Sequence, residues 1–225
     1  MNLIDQAIEF LTDPTNWTGA ASIPQRMLEH LGYTALTMAI ALIIAVPLGL
    51  WVGHTGRGSG VVVGITGALR SLPTLGLLTL FTLLMGLGLM PPILALVLLA
   101  IPPILSGTYS GIASVNPALV DGARAMGMTE RQTLTRVEIP VALPVILGGI
   151  RNAALQVLAT VTIVAYINLG GLGRYLIDGL AVRDYSRMLA SVVLVAVLAL
   201  AADAILALIQ RLVTSPGLRL AGERS

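Results

Sequence analysis

The chain has 225 residues, of which 56% are hydrophobic and only 11% are charged, and its mean hydropathy is +0.91. This composition indicates an integral membrane protein, because soluble domains carry about 25% charged residues. A net charge of +2 and dispersed basic residues argue against nucleic-acid binding, and the lack of cysteine excludes disulfides and cysteine metal sites.

Residue types that several kinds of chemistry need are also missing. All 13 basic residues are arginine, so neither a P-loop of the GxxxxGK[ST] type nor a Schiff-base lysine is possible. The two histidines, His30 and His54, lie far apart in the sequence, which argues against a metal centre. We therefore expect no catalytic residue, metal or cofactor on this chain.

Residues 1–30 are expected to form an extracytoplasmic segment that lies at the membrane interface. Apolar residues at helical spacing, from Leu3 to Leu11, alternate with polar ones, and the segment lacks the cationic start of a signal peptide. The pattern predicts an amphipathic interfacial helix.

Five segments are long and apolar enough to cross a bilayer, which requires about 20 residues. They run over about 31–52, 61–85, 91–112, 141–169 and 188–212, and a tail, 213–225, follows them. Pro47 and Pro73 are expected to kink their helices, and the 24 glycines favour close helix packing. The predicted fold is therefore an all-α membrane domain over residues 31–212.

Arginine distribution predicts the orientation of this domain, because cytoplasmic loops carry more positive residues. One side has seven arginines and the other has four. The seven are Arg57, Arg124, Arg131, Arg136, Arg211, Arg219 and Arg224; the four are Arg26, Arg174, Arg183 and Arg187. The N-terminus is thus expected outside and the C-terminus in the cytoplasm.

A polar loop, residues 113–140, interrupts the apolar spans on the predicted cytoplasmic side. Asn116 before Pro117 is an N-cap followed by proline at the first helical position, and Gly127 can end the helix in a left-handed turn. Thr129 and Gln132 match a capping box, and Pro140 is expected to limit the second helix. The polar loop is therefore predicted to be a helix, a turn and a second short helix.

The first predicted helix of the polar loop has two kinds of face. One is an apolar stripe and the other is a row of small side chains that would let another backbone approach closely. The stripe contains Leu119, Val120, Ala123 and Met126, and the small row contains Ala118, Gly122 and Ala125. Such a helix could fill a groove on a partner; alternatively, the stripe rests on the membrane surface and the arginines only set the topology.

Three charged residues, Arg70, Arg151 and Asp203, fall inside predicted spans. A charge near the bilayer centre costs about 2.5–3.5 kcal/mol on insertion scales, so these residues need a partner or access to water. Their similar predicted depth suggests that Asp203 pairs with Arg70 or Arg151, within the chain or across a dimer. The alternative is that the arginines extend to the cytoplasmic interface.

The polar loop resembles the EAA motif of the permease subunits of bacterial ABC importers, a cytoplasmic loop that docks onto the ATPase subunit. Asp121, Gly122 and Ala123 are followed at the family's spacing by Gly127 and by the run Val137–Pro140, with Asp for Glu, Gly for Ala, Val for Ile and Ile for Leu. The stretches RSLPTLGLL (70–78), 121–153 and GGLG (170–173) are most similar to glycine betaine, carnitine and choline permeases, and methionine permeases come next.

The resemblance implies a type I ABC importer permease fold with a cytoplasmic helix-turn-helix coupling loop, in a bacterial plasma membrane. It implies two ATPase subunits that bind ATP and Mg, a second permease chain that is identical or a close paralogue, and an extracytoplasmic binding protein. The residues that it assigns to ATPase coupling are Asp121, Gly122, Ala123, Met126, Gly127 and Pro140. Asp121 would either contact the ATPase or stabilise the turn. Asn168 and Leu169 depart from the Gly-Ala expected before GGLG.

Two other classes of membrane protein remain as alternatives. A stand-alone secondary transporter would be expected to show internal repeats and titratable midplane groups, but no repeat is evident and only Asp203 fits the second criterion. A structural membrane protein would have little use for an amphipathic cytoplasmic helix. The nine aromatic residues are too few and too close to span ends to predict an aromatic cage for a quaternary amine.

Overall fold

A computed structural model of the protein describes residues 2–213. Most of the predicted tail, with Arg219 and Arg224, lies outside the described residues. Every regular element within 2–213 is helical, which confirms the all-α prediction. Four helices in this range are long and apolar enough to cross a membrane, and a bent pair would make a fifth span.

The N-terminal segment folds as a short amphipathic helix, α1 (Leu3–Thr12). Its first turn has a capping box in which the Asn2 side chain accepts the Asp5 N–H and the Asp5 carboxylate accepts the Asn2 N–H. A 3₁₀ turn, Pro14–Trp17, follows, and then α2 (Ile23–Thr55). The helix of the first span thus begins at Ile23, inside the segment predicted to be interfacial, and it continues through Pro47.

The second predicted span consists of two helices, α3 (Ser59–Ser71) and α4 (Thr74–Met85), which meet at an angle of 85°. Proline disfavours helical backbone at the preceding residue and has no N–H to donate, so α3 ends just before Leu72 and Pro73. The expected kink at Pro73 is therefore a break. The next helix is α5 (Met90–Ala113).

The polar loop contains α6 (Pro117–Ala125), α7 (Glu130–Thr133) and a π-helical turn, Leu134–Glu138. The π turn leads directly into α8 (Ile139–Thr160), so the expectation that Pro140 limits the second helix is wrong. Pro140 is the second residue of α8, and the Ile139 N–H just before it bonds Leu134 O, five residues back. A π turn is wider than an α-helical turn, so it relieves the steric clash between the proline ring and the preceding turn of the helix.

The remaining described chain runs as a 3₁₀ helix, Val161–Ile167, then α9 (Gly173–Val182) and α10 (Tyr185–Val213). Left-handed residues end two of these elements: Asn168, with φ 68°, follows the 3₁₀ helix, and Arg183, with φ 59°, follows α9. Asn tolerates this conformation better than most residues, which accounts for its place here.

The described chain divides into two compact units. The first contains residues 2–40, Leu72–Leu99 and Ala154–Asp203, and the second contains Ala41–Ser71, Ala100–Ala153 and 204–213. One hydrophobic cluster in the core of the first unit consists of Ile23, Leu158, Leu172, Tyr175 and Leu198. A cluster in the core of the second unit consists of Ile112, Val115, Val120, Ala142 and Ile146, so it includes a residue of α6.

Glycines bring the helices of the second unit into backbone contact, as predicted. A Cβ atom on Gly49 or Gly53 of α2 would lie 2.6–2.7 Å from the Cβ of Thr108 or Ile112 on α5. Gly107 of α5 and Gly149 of α8 face each other, and a Cβ on Gly149 would lie 2.8 Å from the Pro103 carbonyl oxygen. These contacts fix α2, α5 and α8 to one another behind the polar loop.

Candidate functional site in the polar loop

Short-range capping sets the length and the ends of α6. The Asn116 side chain accepts the Ala118 N–H at 2.9 Å, and Pro117 occupies the first helical position. At the other end, the Gly127 N–H bonds Arg124 O and the Met128 N–H bonds Ala123 O, which is a Schellman motif. Gly127 has φ +85°, as this motif requires. The start and end predicted for this helix are confirmed.

The second helix of the polar loop also starts where the sequence predicts. The Thr129 hydroxyl accepts the Gln132 N–H, and the Gln132 side chain accepts the Thr129 N–H at 2.8 Å. The capping box is thus confirmed. Only three residues, Met126–Met128, separate the last residue of α6 from this cap, so the polar loop is a compact helix-turn-helix.

The apolar stripe predicted along α6 is divided between two faces. Val120 and Ala123 are buried, and Val120 belongs to the core of the second unit. Leu119 is 50% exposed and Met126 is 76% exposed. The stripe prediction was wrong in treating the four residues as one face, because Val120 and Ala123 point toward this core while Leu119 and Met126 lie on the adjoining, exposed side.

The outward face of α6 therefore combines two large apolar side chains with small residues. Ala118, Gly122 and Ala125 are all exposed, and a Cβ on Gly122 would meet nothing within 4 Å. Asp121 also lies on the exposed surface, with its side chain 74% exposed and an oxygen 3.7 Å from Arg124. Asp121 does not hydrogen-bond the turn, so the described residues leave it accessible to a partner.

Arg124 joins the two helices of the polar loop. Its guanidinium donates to both carboxylate oxygens of Glu130, with Nε–Oε1 at 3.0 Å and Nη2–Oε2 at 2.9 Å. The hydrogen bond to Glu130 is the main cause of the raised pKa of Arg124. A two-bonded arginine–carboxylate pair fixes orientation as well as distance, so α6 and the start of α7 are held together.

His54, the penultimate residue of α2, contacts the polar loop through both ring nitrogens. Its Nδ1 lies 2.6 Å from Glu138 Oε2, and its Nε2 lies 3.2 Å from Glu130 Oε2. Glu138 is buried in the π turn, with 5% of its surface exposed. Sequence reasoning missed both His54 and Glu138, since 84 residues separate them. The one available signal was a charged residue placed among apolar ones just before α8.

The three charges predicted to lie in spans have different environments. Arg70 is exposed near the end of α3, whereas Arg151 of α8 and Asp203 of α10 are partly buried. Arg151 and Asp203 each have an interaction partner. The specific pairing of Asp203 with an arginine stays a prediction.

The GGLG stretch forms a second ordered site, within the first unit. The Gly171 N–H donates to Glu29 Oε2 at 2.7 Å, and the same oxygen accepts from Arg26 at 2.9 Å. A Cβ atom added to Gly170 would collide with the carboxylate of Glu29. Asn168, where the sequence departs from the expected Gly-Ala, hydrogen-bonds Arg174. The close approach of Glu29 therefore explains Gly170, whereas Gly171 has φ +88° and a Cβ on Gly173 would collide with the backbone of Thr162.

The four or five apolar spans of the described chain and the polar helix-turn-helix between them define a multi-span membrane protein. Over residues 45–215 the chain matches the family described as "Binding-protein-dependent transport system inner membrane component". The protein belongs to this family, and it is the permease subunit of an ABC importer. A permease of this class works in a complex with an ATPase partner and a second permease chain.

Several curated relatives cover nearly the whole chain. The glycine betaine/carnitine/choline transport system permease protein OpuCB of Bacillus subtilis (strain 168) is 36% identical over 85% of this chain and 88% of its own. The choline permease OpuBB of the same organism is 33% identical over 90% and 93%, respectively. The carnitine permease OpuCD of Listeria monocytogenes is 34% identical over 94% and 93%.

Solved structures support the same fold. A chain of the inward-facing MetNI methionine ABC transporter matches with a TM-score of 0.76 at 22% identity, covering 91% of this chain and 100% of that one. A second crystal form gives a TM-score of 0.73 at 24% identity. At this identity the likeness establishes the type I permease fold, and the substrate of that transporter does not carry over.

Proposed function

We propose that this permease imports an osmoprotectant such as glycine betaine, carnitine or choline. The support is that relatives at 32–36% identity over most of the chain are named for these solutes, whereas the methionine transporter is similar only at the level of fold. The described residues of the chain offer few aromatics for a cation cage, so selectivity resides in a separate extracytoplasmic binding protein. An amino acid such as methionine is the alternative substrate.

The substrate proposal is tested by uptake into proteoliposomes that contain the complex and its binding protein. Labelled glycine betaine, carnitine and choline are the probes, with methionine as the comparison. We expect ATP-dependent uptake of at least one quaternary amine. Uptake of methionine alone would refute the osmoprotectant proposal and favour the alternative.

The complex would contain two copies of the ATPase, which hold ATP and Mg, two permease chains and one binding protein. We propose that it sits in a bacterial plasma membrane with the N-terminus outside and the C-terminus in the cytoplasm. The support is that the polar loop and the other segments on the same side of the membrane carry more arginines than the segments on the opposite side. This orientation exposes α6 to the cytoplasm, where an ATPase can reach it.

The outward face of α6 would be the surface that docks onto the ATPase. The single observation that carries this proposal is that Leu119, Gly122 and Met126 are exposed on a helix whose other side and both ends are fixed by the chain itself. Two apolar side chains with a glycine beside them fit a groove in which the backbone of the partner comes close to α6. Asp121, at the edge of this face, would contact the ATPase rather than hold the turn.

The docking proposal is tested at Gly122, because a side chain added there meets nothing in the permease. Gly122→Gln and Gly122→Ala both improve helix propensity, by up to about 1 kcal/mol, so neither should unfold α6. We expect Gly122→Ala to retain the partner ATPase in co-purification and Gly122→Gln to lose most of it. Equal retention by the two variants would mean that this face does not dock.

A further inference from the structure

A chain of polar contacts connects the proposed docking helix with the end of α2. Arg124 on α6 holds Glu130 on α7 by two hydrogen bonds, and Glu130 lies 3.2 Å from Nε2 of His54. The other ring nitrogen of His54 lies 2.6 Å from the buried carboxylate of Glu138. Three consecutive contacts therefore join α6, α7, α2 and the π turn, and in the middle of them the two ring nitrogens of His54 each face a carboxylate.

His54 presents one ring nitrogen to each of the two glutamates. Two carboxylates cannot hydrogen-bond each other, because each can only accept, so the imidazole is the group that links Glu130 to Glu138. On the far side of Glu130, the Arg124 guanidinium donates to the same carboxylate.

The polar chain matters for orientation because α6 has little apolar anchoring. Only Val120 and Ala123 are buried among its nine residues. The end of α2, in contrast, is fixed, since Gly53 packs directly against Ile112 of α5 one residue before His54. The polar chain therefore adds a rigid point on α2, reached through His54, to the two buried residues that orient α6.

We infer that His54 is a positioning residue for coupling, which holds Glu130 and Glu138 and through Arg124 transmits displacement of α6 to α2. The inference rests on the proposed docking of α6 to the ATPase. It extends the coupling contact beyond the polar loop, because α2 would move together with α7 and α8 when the ATPase closes. Loss of the His54 contacts would leave ATP binding intact but would let α6 move without the spans.

Hydrogen exchange of the purified permease in lipid nanodiscs tests the positioning directly and needs no partner. We expect His54→Phe, which keeps a ring without N–H groups, to raise exchange in residues 117–133 by at least threefold. Glu138→Gln retains an acceptor and should cause a smaller increase. Thr55→Ala is the matched control, because its hydroxyl bonds only the backbone of α2 and the turn that follows it, and it should leave this segment unchanged.

In the assembled transporter, the amount of solute imported per ATP hydrolysed can be measured. A purely structural role of His54 would not change this ratio. We expect His54→Phe to retain the ATPase and hydrolyse ATP while uptake per ATP falls at least threefold, and Thr55→Ala to match the unsubstituted chain. Unchanged exchange, or raised exchange with normal uptake per ATP, overturns the inference alone. Failure of the unsubstituted permease to retain the ATPase overturns the proposed docking and the inference together.

Discussion

The contact between α5 and α8 offers a test of how tightly the second unit is packed. A Cβ added to Gly149 would lie 2.8 Å from Pro103 O and 2.9 Å from the Cα of Gly107, whereas one added to its neighbour Gly148 meets nothing within 4 Å. Contacting carbons prefer about 3.5–4.0 Å, and the atoms in the way are backbone atoms that cannot rotate aside. Gly149→Ala must therefore push the two helices apart, while Gly148→Ala need not.

The two variants share the same gain in helix propensity, so their difference isolates the clash. Overpacking costs about 1–3 kcal/mol. At roughly 2–4 °C per kcal/mol for a chain of this size, Gly149→Ala should melt about 2–12 °C below Gly148→Ala. Thermal unfolding in detergent, followed by the fluorescence of Trp17 and Trp51, measures this difference. Melting temperatures within about 1 °C of each other would show that the helices separate at little cost and would refute the reasoning.

Two further substitutions test local features of the fold. Gly127→Ala places a side chain at φ +85° and should destabilise the end of α6 by about 1–2 kcal/mol, whereas Gly127→Asn should cost less. Hydrogen exchange of the α6 amides distinguishes the two variants. Equal exchange in both would contradict the Schellman assignment. Tyr175→Phe removes a hydroxyl that donates to Ala21 O at 2.6 Å and should lower the free energy of unfolding by about 1 kcal/mol. An unchanged melting temperature would mean that water replaces this hydrogen bond at no cost.

The features that the sequence predicted best are those decided within a few residues. The capping hydrogen bonds of Asn116, Gly127 and Thr129 each reach only two or three residues along the chain, and each cap occurs as predicted. Capping chemistry is local, because the groups it satisfies belong to the same turn. The composition likewise sufficed for the class of fold, because apolar length is a property of single segments.

The features that the sequence did not predict depend on distant residues or on competing local preferences. The contact between His54 and Glu138 joins elements far apart in the chain, and neither residue type has a spacing that would reveal it. Pro140 was expected to limit a helix, but a π turn before it allows the helix to continue. The separate roles of Val120 and Met126 followed from where the core lies, which periodicity alone could not place.

The π turn also determines which side of the helix faces α2. Glu130 and Glu138 are eight positions apart, and in a regular α-helix, at about 100° per residue, they would point about 80° away from each other. A π turn accommodates roughly one extra residue, which brings the two carboxylates within about 20° of a common direction. A single imidazole can then reach both. The angular alignment of the two glutamates thus depends on one surplus residue, and deletion of one residue from 134–137 would rotate α6 and α7 away from His54 without removing either side chain that contacts it.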